Sequence, residues 1–195
     1  MAEEPKYGAI MIPGSGAEVF EAVAGFSRLG GFGVMLIDTP RDENRVRLNN
    51  LNDPEIDYTL SEADRRRFAF GVAQAVRILF KAGARRVWVP TQQPFMDAAG
   101  APLRRSFLVD ASEADLVEQQ LSFLPNQCMV SSAHIQGTNK MSAGEATGVV
   151  SPGFLVWGTD NLYVVDASVF PTSIGANPMQ SLYTLGRLAA DRLEP

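Results

Sequence analysis

The sequence predicts an α+β fold, an antiparallel sheet backed by helices, and three local patterns predict it. Arg45 to Leu51 alternates around Val46 and Leu48, a second segment carries Ile56 and Tyr58, and Asn52-Asp53-Pro54 between them supplies turn chemistry. That is an antiparallel hairpin, and the alternation implies a half-buried sheet. Ser61 followed by Asp64 has capping-box spacing at the start of a long amphipathic helix. Asn177 and Pro178 open the last helix, because Asn is a favoured N-cap and Pro is preorganised for the first helical position.

In chain order, Tyr7 to Ile12 is a short apolar run ending at Pro13-Gly14-Ser15-Gly16, and reads as a strand. Ala17 to Leu29 has helical spacing through Val19, Phe20, Val23 and Phe26, and Phe32 to Ile37 reads as a buried strand. The hairpin follows. The helix from Ser61 shows one apolar face of Phe68, Val72, Val76, Leu79 and Phe80, with acids in its first turn, Lys81 in its last and Gly83 as its stop. Arg86 to Pro90 is a short strand, Pro90 to Arg105 a loop, and Ser112 to Leu124 a second helix closed by Pro125. Leu162 to Val165 is a strand leading into a turn-rich loop. In the last helix Met179, Leu182, Tyr183, Gly186, Ala189, Ala190 and Leu193 share the face expected to pack.

Composition narrows the function. The 195 residues are 46% hydrophobic and 20% charged, which suits a packed globular chain. Seventeen Lys+Arg against 22 Asp+Glu leave a net charge of -5, so no basic surplus attracts a phosphate backbone and nucleic acid is not an expected partner. No apolar run approaches the ~20 residues of a membrane span. The polar, acidic Met1 to Lys6 shows no secretory leader, and the expectation is a cytoplasmic chain, with the compartment open to a leader in an N-terminal part missing from it. One cysteine and one histidine exclude an intrachain disulfide and the usual structural zinc sets, so no metal site is expected. Cys128 reads as a small buried apolar residue and Trp157 as core.

Two segments invite a chemical reading. Gly14-Ser15-Gly16 followed by Asp38 has the outline of a dinucleotide fingerprint, but Val19 stands where the third glycine packs helix on strand, and Pro13 interrupts the entry. His134 lies in a run of small and polar residues, Ser131 to Thr138, without helical or strand period. A neutral imidazole accepts a proton near neutral pH. Asn177 stands at a helix N-terminus, where free N–H groups and the dipole favour an anion. A base and an anion site together are what alcohol oxidation by hydride transfer requires.

The residues from Ser131 to Leu193 resemble the C-terminal signature of the glucose-methanol-choline (GMC) oxidoreductase family. The resemblance rests on His134-Ile135-Gln136-Gly137-Thr138-Asn139-Lys140-Met141, Gly148-Val149-Val150, Val156-Trp157-Gly158, the run Asn161 to Thr172, and Gly175-Ala176-Asn177-Pro178-Met179. Asn44 to Val87 is similar to the substrate domain of that family, nearest its long-chain alcohol oxidase and dehydrogenase branch. One departure is Asn139, where relatives often carry Cys after Thr.

The resemblance implies roles. His134 matches the catalytic histidine, and Asn177 the second member of the catalytic pair. Asp166 and Ala167 match positions at the ribityl and pyrophosphate of FAD, while Asn177, Pro178 and Met179 match the helix end near the flavin. Asp166 read from its residues alone could equally form a turn, and Asn177 could cap its helix. The implied organisation is a substrate-binding domain over 1–130 and an FAD-contacting, catalytic segment over 131–195 that would complete an FAD-binding domain, with the N-terminal ADP-binding part absent from this chain. The expected function is the C-terminal portion of an FAD-dependent enzyme that oxidises an alcohol CH–OH group by hydride transfer to flavin. The substrate is expected to be a small, apolar alcohol, given Phe20, Phe26, Phe32 and Phe95. Its partner would be a flavin-bearing N-terminal portion or subunit. A second reading is a non-catalytic remnant that binds no FAD alone, and a third a nucleotide-binding domain using Gly14 and Gly16.

Overall fold

The computed structural model describes residues 12–193. They form an α+β chain with a two-stranded antiparallel sheet and four α-helices. These are α1 (Ala17–Ala24), β1 (Arg45–Leu48), β2 (Pro54–Asp57), α2 (Glu62–Lys81), α3 (Ala114–Gln120) and α4 (Met179–Leu193). Two compact units share them: residues 12–36 with Leu60–Val130, and Ile37–Thr59 with 131–193.

The first unit is organised by α2. Ser61 caps it by accepting from the Asp64 amide at 3.0 Å, and its hydroxyl donates to the Asp64 carboxylate at 2.6 Å. Asp64 is buried and also accepts from Arg67, so its charge is held by two donors. At the other end Gly83 sits at φ 96 and donates to Phe80, while Ala84 reaches back to Leu79. That pair of bonds is a Schellman ending, which only a residue tolerant of left-handed backbone closes without strain.

The face that α2 buries is narrower than its periodicity suggests. Ala69, Ala73 and Val76 are buried, and they meet Val87, Val89, Phe95, Leu108, Ala114, Val117 and Leu121 in one core. Phe68, Val72, Leu79 and Phe80 are only partly buried around it. Small residues sit at the contact because α3 packs there, and larger ones fill the flanks. Phe68 meets Phe123 with ring centroids 5.1 Å apart.

Several expected elements differ. The helix expected over 112–124 is capped by Asp110, whose carboxylate accepts from the Ser112 amide at 2.8 Å, and it starts as a 3-10 turn at Ala111–Glu113. It stops at Gln120 because Gln93 donates to the Gln120 carbonyl, and Leu121 turns to extended backbone. The helix expected over 17–29 ends at Ala24, with Gly25 and a 3-10 turn completing it. No strand forms at 32–37, and the partner expected at 7–12 lies, but for its last residue, outside the described residues. The strand expected at 86–90 is reduced to one bridge, Val87 to Leu108, and that at 162–165 to Tyr163 facing Leu155. An apolar run becomes a strand only where a neighbour supplies a ladder for its N–H and C=O groups.

In the second unit the hairpin pairs Val46 with Ile56 and Leu48 with Pro54. Asn49 organises its turn, its side-chain oxygen accepting from the Leu51 and Asp53 amides, and Asn52 takes φ 68. The sheet is not half-buried as its alternation implied: Val46, Leu48 and Ile56 are 51%, 62% and 71% exposed, because no described residue covers that face. The small core of this unit is Val150, Phe154, Val169 and Ala189. Helix α4 also departs from expectation. Ala189 is buried and Leu182 half-buried, whereas Met179, Tyr183, Gly186 and Ala190 are exposed, so one apolar face packs in two halves of which only one is covered.

Candidate functional site

The residues singled out for chemistry fall in two stretches of the second unit, 131–142 and 166–179. The structure lays one along the other. The amide of Gly137 donates to the Ala167 carbonyl at 3.1 Å, Asn139 to Ser168 at 3.0 Å and Met141 to Val169 at 2.9 Å. The Asn139 side chain adds a bond to the Ser168 hydroxyl at 3.0 Å. This ladder is possible because 167–169 forms a 3-10 turn whose carbonyls face one side.

Asp166 makes that turn. Its Oδ1 accepts from the Ser168 amide at 2.7 Å, the capping role that its residue type allows, and its second carboxylate oxygen takes no hydrogen bond among the described residues. Ala167 contributes its carbonyl to Gly137. Backbone at Gly137 (φ 86) and Thr138 (φ 82) is left-handed in succession. For a β-branched residue such as Thr138 that conformation is strained by about 1–3 kcal/mol, and strain of this kind concentrates where function needs it.

His134 lies just upstream of the ladder. Its side chain is half-buried, and among the described residues the imidazole has no hydrogen-bond or ion-pair partner. Its backbone carbonyl accepts from the Gln136 side chain at 3.3 Å, and the other end of that side chain accepts from the Ile174 amide at 3.1 Å. Ile174 stands three residues before Asn177. No hydrogen bond joins His134 directly to Asn177 among the described residues.

Asn177 and Met179 are exposed and Pro178 is buried. Leu182 donates to the Pro178 carbonyl at 2.8 Å, so the amides of Met179 and Gln180 belong to the open first turn of α4. Gly175 at φ 70 lets the chain turn into that helix, against Ile37: a Cβ there would meet Ile37 Cδ1 at 2.8 Å. The donor set suits a flavin. It combines open amides at a helix N-terminus for an electron-rich ring edge with an Asp166 carboxylate oxygen and a His134 imidazole that no described residue engages.

The sequence reading missed Gln136 and Asn139, polar residues in a polar loop whose bonding no periodicity announces. Of the aromatic residues whose content suggested an apolar substrate, Phe20 and Phe32 are exposed, Phe26 is half-buried and Phe95 is core. An open cleft of about 430 Å³, in the first unit, is lined by Pro13, Gly14, Glu18, Phe95, Arg104 and Ser106, and holds none of the expected catalytic residues. Beside it Gly14 (φ 95) and Gly16 (φ 67) lead into α1, where the Glu18 carboxylate takes the Ser106 amide and hydroxyl. With no strand at 32–37, the described residues contain no strand–helix–strand unit for a dinucleotide. Cys128 is half-buried, and burial pushes its thiol up. Among the described residues no helix is long and apolar enough to cross a membrane.

A family model described as GMC oxidoreductase matches residues 40–186, well over half of the chain. A long-chain-alcohol oxidase of Arabidopsis thaliana is 28% identical over 92% of the chain and 23% of its own length. A dehydrogenase of Armillaria gallica is 40% identical over 40% of the chain and 12% of its own length. Paromamine 6'-oxidase of Streptomyces fradiae is 28% identical over 74% of the chain and 21% of its own length. The chain thus spans about a quarter or less of the length of these curated relatives.

Proposed function

We propose, from the premise that this chain belongs to the GMC oxidoreductase family, that it is the C-terminal portion of an FAD-dependent enzyme oxidising an alcohol CH–OH group. Residues 131–195 would face the flavin and residues 1–130 the substrate. The observation that carries this reading is the half-buried, unpaired His134 imidazole, on a segment tied to the loop that enters α4. Long-chain alcohols and paromamine figure in the relatives' names, and an apolar alcohol, in line with the first, is the substrate class we assign.

When bound, FAD supplies the hydride acceptor. His134 takes the hydroxyl proton at an imidazole nitrogen, which no described residue engages. Asn177 holds the substrate oxygen beside it through its side-chain amide, which no described residue engages. The Met179 and Gln180 amides, with the α4 dipole behind them, would favour negative charge at the edge of a bound flavin, and Asp166, Ala167 and Pro178 would hold the cofactor.

The test is reconstitution with a flavin-bearing polypeptide covering the remaining length of such a relative, followed by bleaching of the flavin absorbance on adding a long-chain alcohol. His134→Ala should slow flavin reduction by on the order of 10²- to 10⁴-fold. An unchanged rate would remove His134 from the chemistry.

A further inference from the structure

We infer that Gln136 is the positioning residue of this site: its side-chain amide bridges the backbone of His134 to that of Ile174, and so sets the His134 segment against the loop that carries Asn177. The inference rests on the functional reading above for its catalytic meaning, and on geometry alone for the bridge.

The orientation of the amide is fixed by its partners. The Ile174 N–H is a donor, so only Oε1 of Gln136 can face it, at 3.1 Å. Nε2 is then turned to the His134 carbonyl, which can only accept, at 3.3 Å. Both ends of the side chain are satisfied in one arrangement, and neither would be in the flipped one.

What gives the bridge weight is how little else holds the two segments. The ladder to 167–169 begins at Gly137 and does not extend back to 131–135. Across 131–135 the only hydrogen bond among the described residues is the one His134 accepts from Gln136. On the other side, among the described residues, 171–177 make one hydrogen bond beyond their own stretch, from Ile174 to Gln136. Gly175 bonds only locally, to the Ser173 hydroxyl at 3.4 Å. One side chain therefore ties both segments that carry the proposed pair, while its own backbone is anchored by the neighbouring Gly137 rung. A pair of groups acting on one substrate loses rate steeply with misplacement of about 1 Å, so the tie is where such precision would be set.

The experiment uses the full 195-residue chain, labelled with ¹⁵N, in three forms: wild type, Gln136→Met and Gln136→Glu. His134 is the one histidine, so its imidazole signals need no assignment. Met has similar length and no hydrogen-bonding amide. Glu at neutral pH keeps the acceptor for Ile174 but has no donor for His134. In Gln136→Met the Ile174 amide should exchange faster by on the order of tenfold, with the His134 ring signals shifted and narrowed. In Gln136→Glu the Ile174 amide should stay protected while the His134 signals move as in the Met variant. Unaltered Ile174 exchange in the Met variant, equal loss of protection in both variants, or His134 signals unmoved in both would each overturn the bridge. If the Met variant unfolds, seen as faster exchange at Val150 and Val156 as well, the Glu variant carries the test. No flavin or substrate enters these measurements, so their failure removes Gln136 alone, whereas an intact bridge with unchanged flavin reduction in His134→Ala removes the catalytic reading instead.

Discussion

Asp166→Ala separates what this carboxylate does for the fold from what it does for a cofactor. Its Oδ1 holds the Ser168 amide at 2.7 Å, and the 3-10 turn so capped presents the carbonyls of Ala167, Ser168 and Val169 to the amides of Gly137, Asn139 and Met141. Losing such a cap costs about 1 kcal/mol, within a range of roughly 0.5–2. Because the turn and the ladder share those carbonyls, local opening should become about 5- to 30-fold more frequent for 1–2 kcal/mol lost. Amide exchange at Gly137, Asn139 and Met141 should rise together by that factor, while Val76 and Val117 in the other unit stay unchanged. Asp166→Asn keeps an acceptor at the same place and should leave all three within about twofold of wild type, Asn and Asp being near equals as caps. Unaltered exchange in the folded Ala variant would show that the turn holds without Asp166 and refute the coupling. Any weakening of flavin binding in the Asn variant would then belong to the charge, since the turn is preserved.

Two further predictions concern stability. Gly148→Ala should cost about 2–4 kcal/mol, because a Cβ there would lie 2.5 Å from the Lys140 carbonyl oxygen, a backbone atom that also accepts from the Val149 amide at 2.8 Å. Urea unfolding should show this against Gly144→Ala, where a Cβ meets nothing within 4 Å; equal midpoints would mean that the segments at Lys140 and Gly148 part freely. Burial pushes the Asp64 carboxyl up, but the Ser61 hydroxyl and the Arg67 guanidinium outweigh it and hold the group below the ordinary carboxylate range. A carboxylate depressed on folding contributes stability that is complete above its unfolded value, near 3.9, and is lost as pH falls through the lower folded value. Asp64→Asn should therefore be less stable than wild type at pH 7, by about 1.5–3 kcal/mol for lost charge-assisted bonds, with the gap closing below about pH 4. A gap independent of pH would place the cost in packing.

The elements that can be read from sequence are those whose signal is complete within a few residues. Ser61 with Asp64, Gly83, and Asn52 in its turn each satisfy their own backbone groups locally, and the structure follows them closely, while at the start of α4 it is the Pro178 carbonyl that accepts from the Leu182 amide and the Asn177 side chain makes no cap bond among the described residues. The runs at 86–90 and 162–165 failed as strands for the converse reason. Val87 finds its partner in Leu108 and Tyr163 in Leu155, each a single bridge, and an apolar run does not say how long its ladder will be. The site divides the same way. His134, Asp166 and Asn177 stand in recognisable motifs, but the bonds that join their loops run through Gln136 and Asn139, whose side chains have no period and whose partners are some 30 to 40 residues away. Hydrophobic pattern has its own limit, visible in Val46, Leu48 and Ile56 and in Met179 and Tyr183: it marks a face suited to burial and leaves open what covers it. An alternating hairpin exposed on its apolar side is thus no contradiction of the pattern rule, since the rule describes free energy available on burial and the covering surface is a separate fact of assembly.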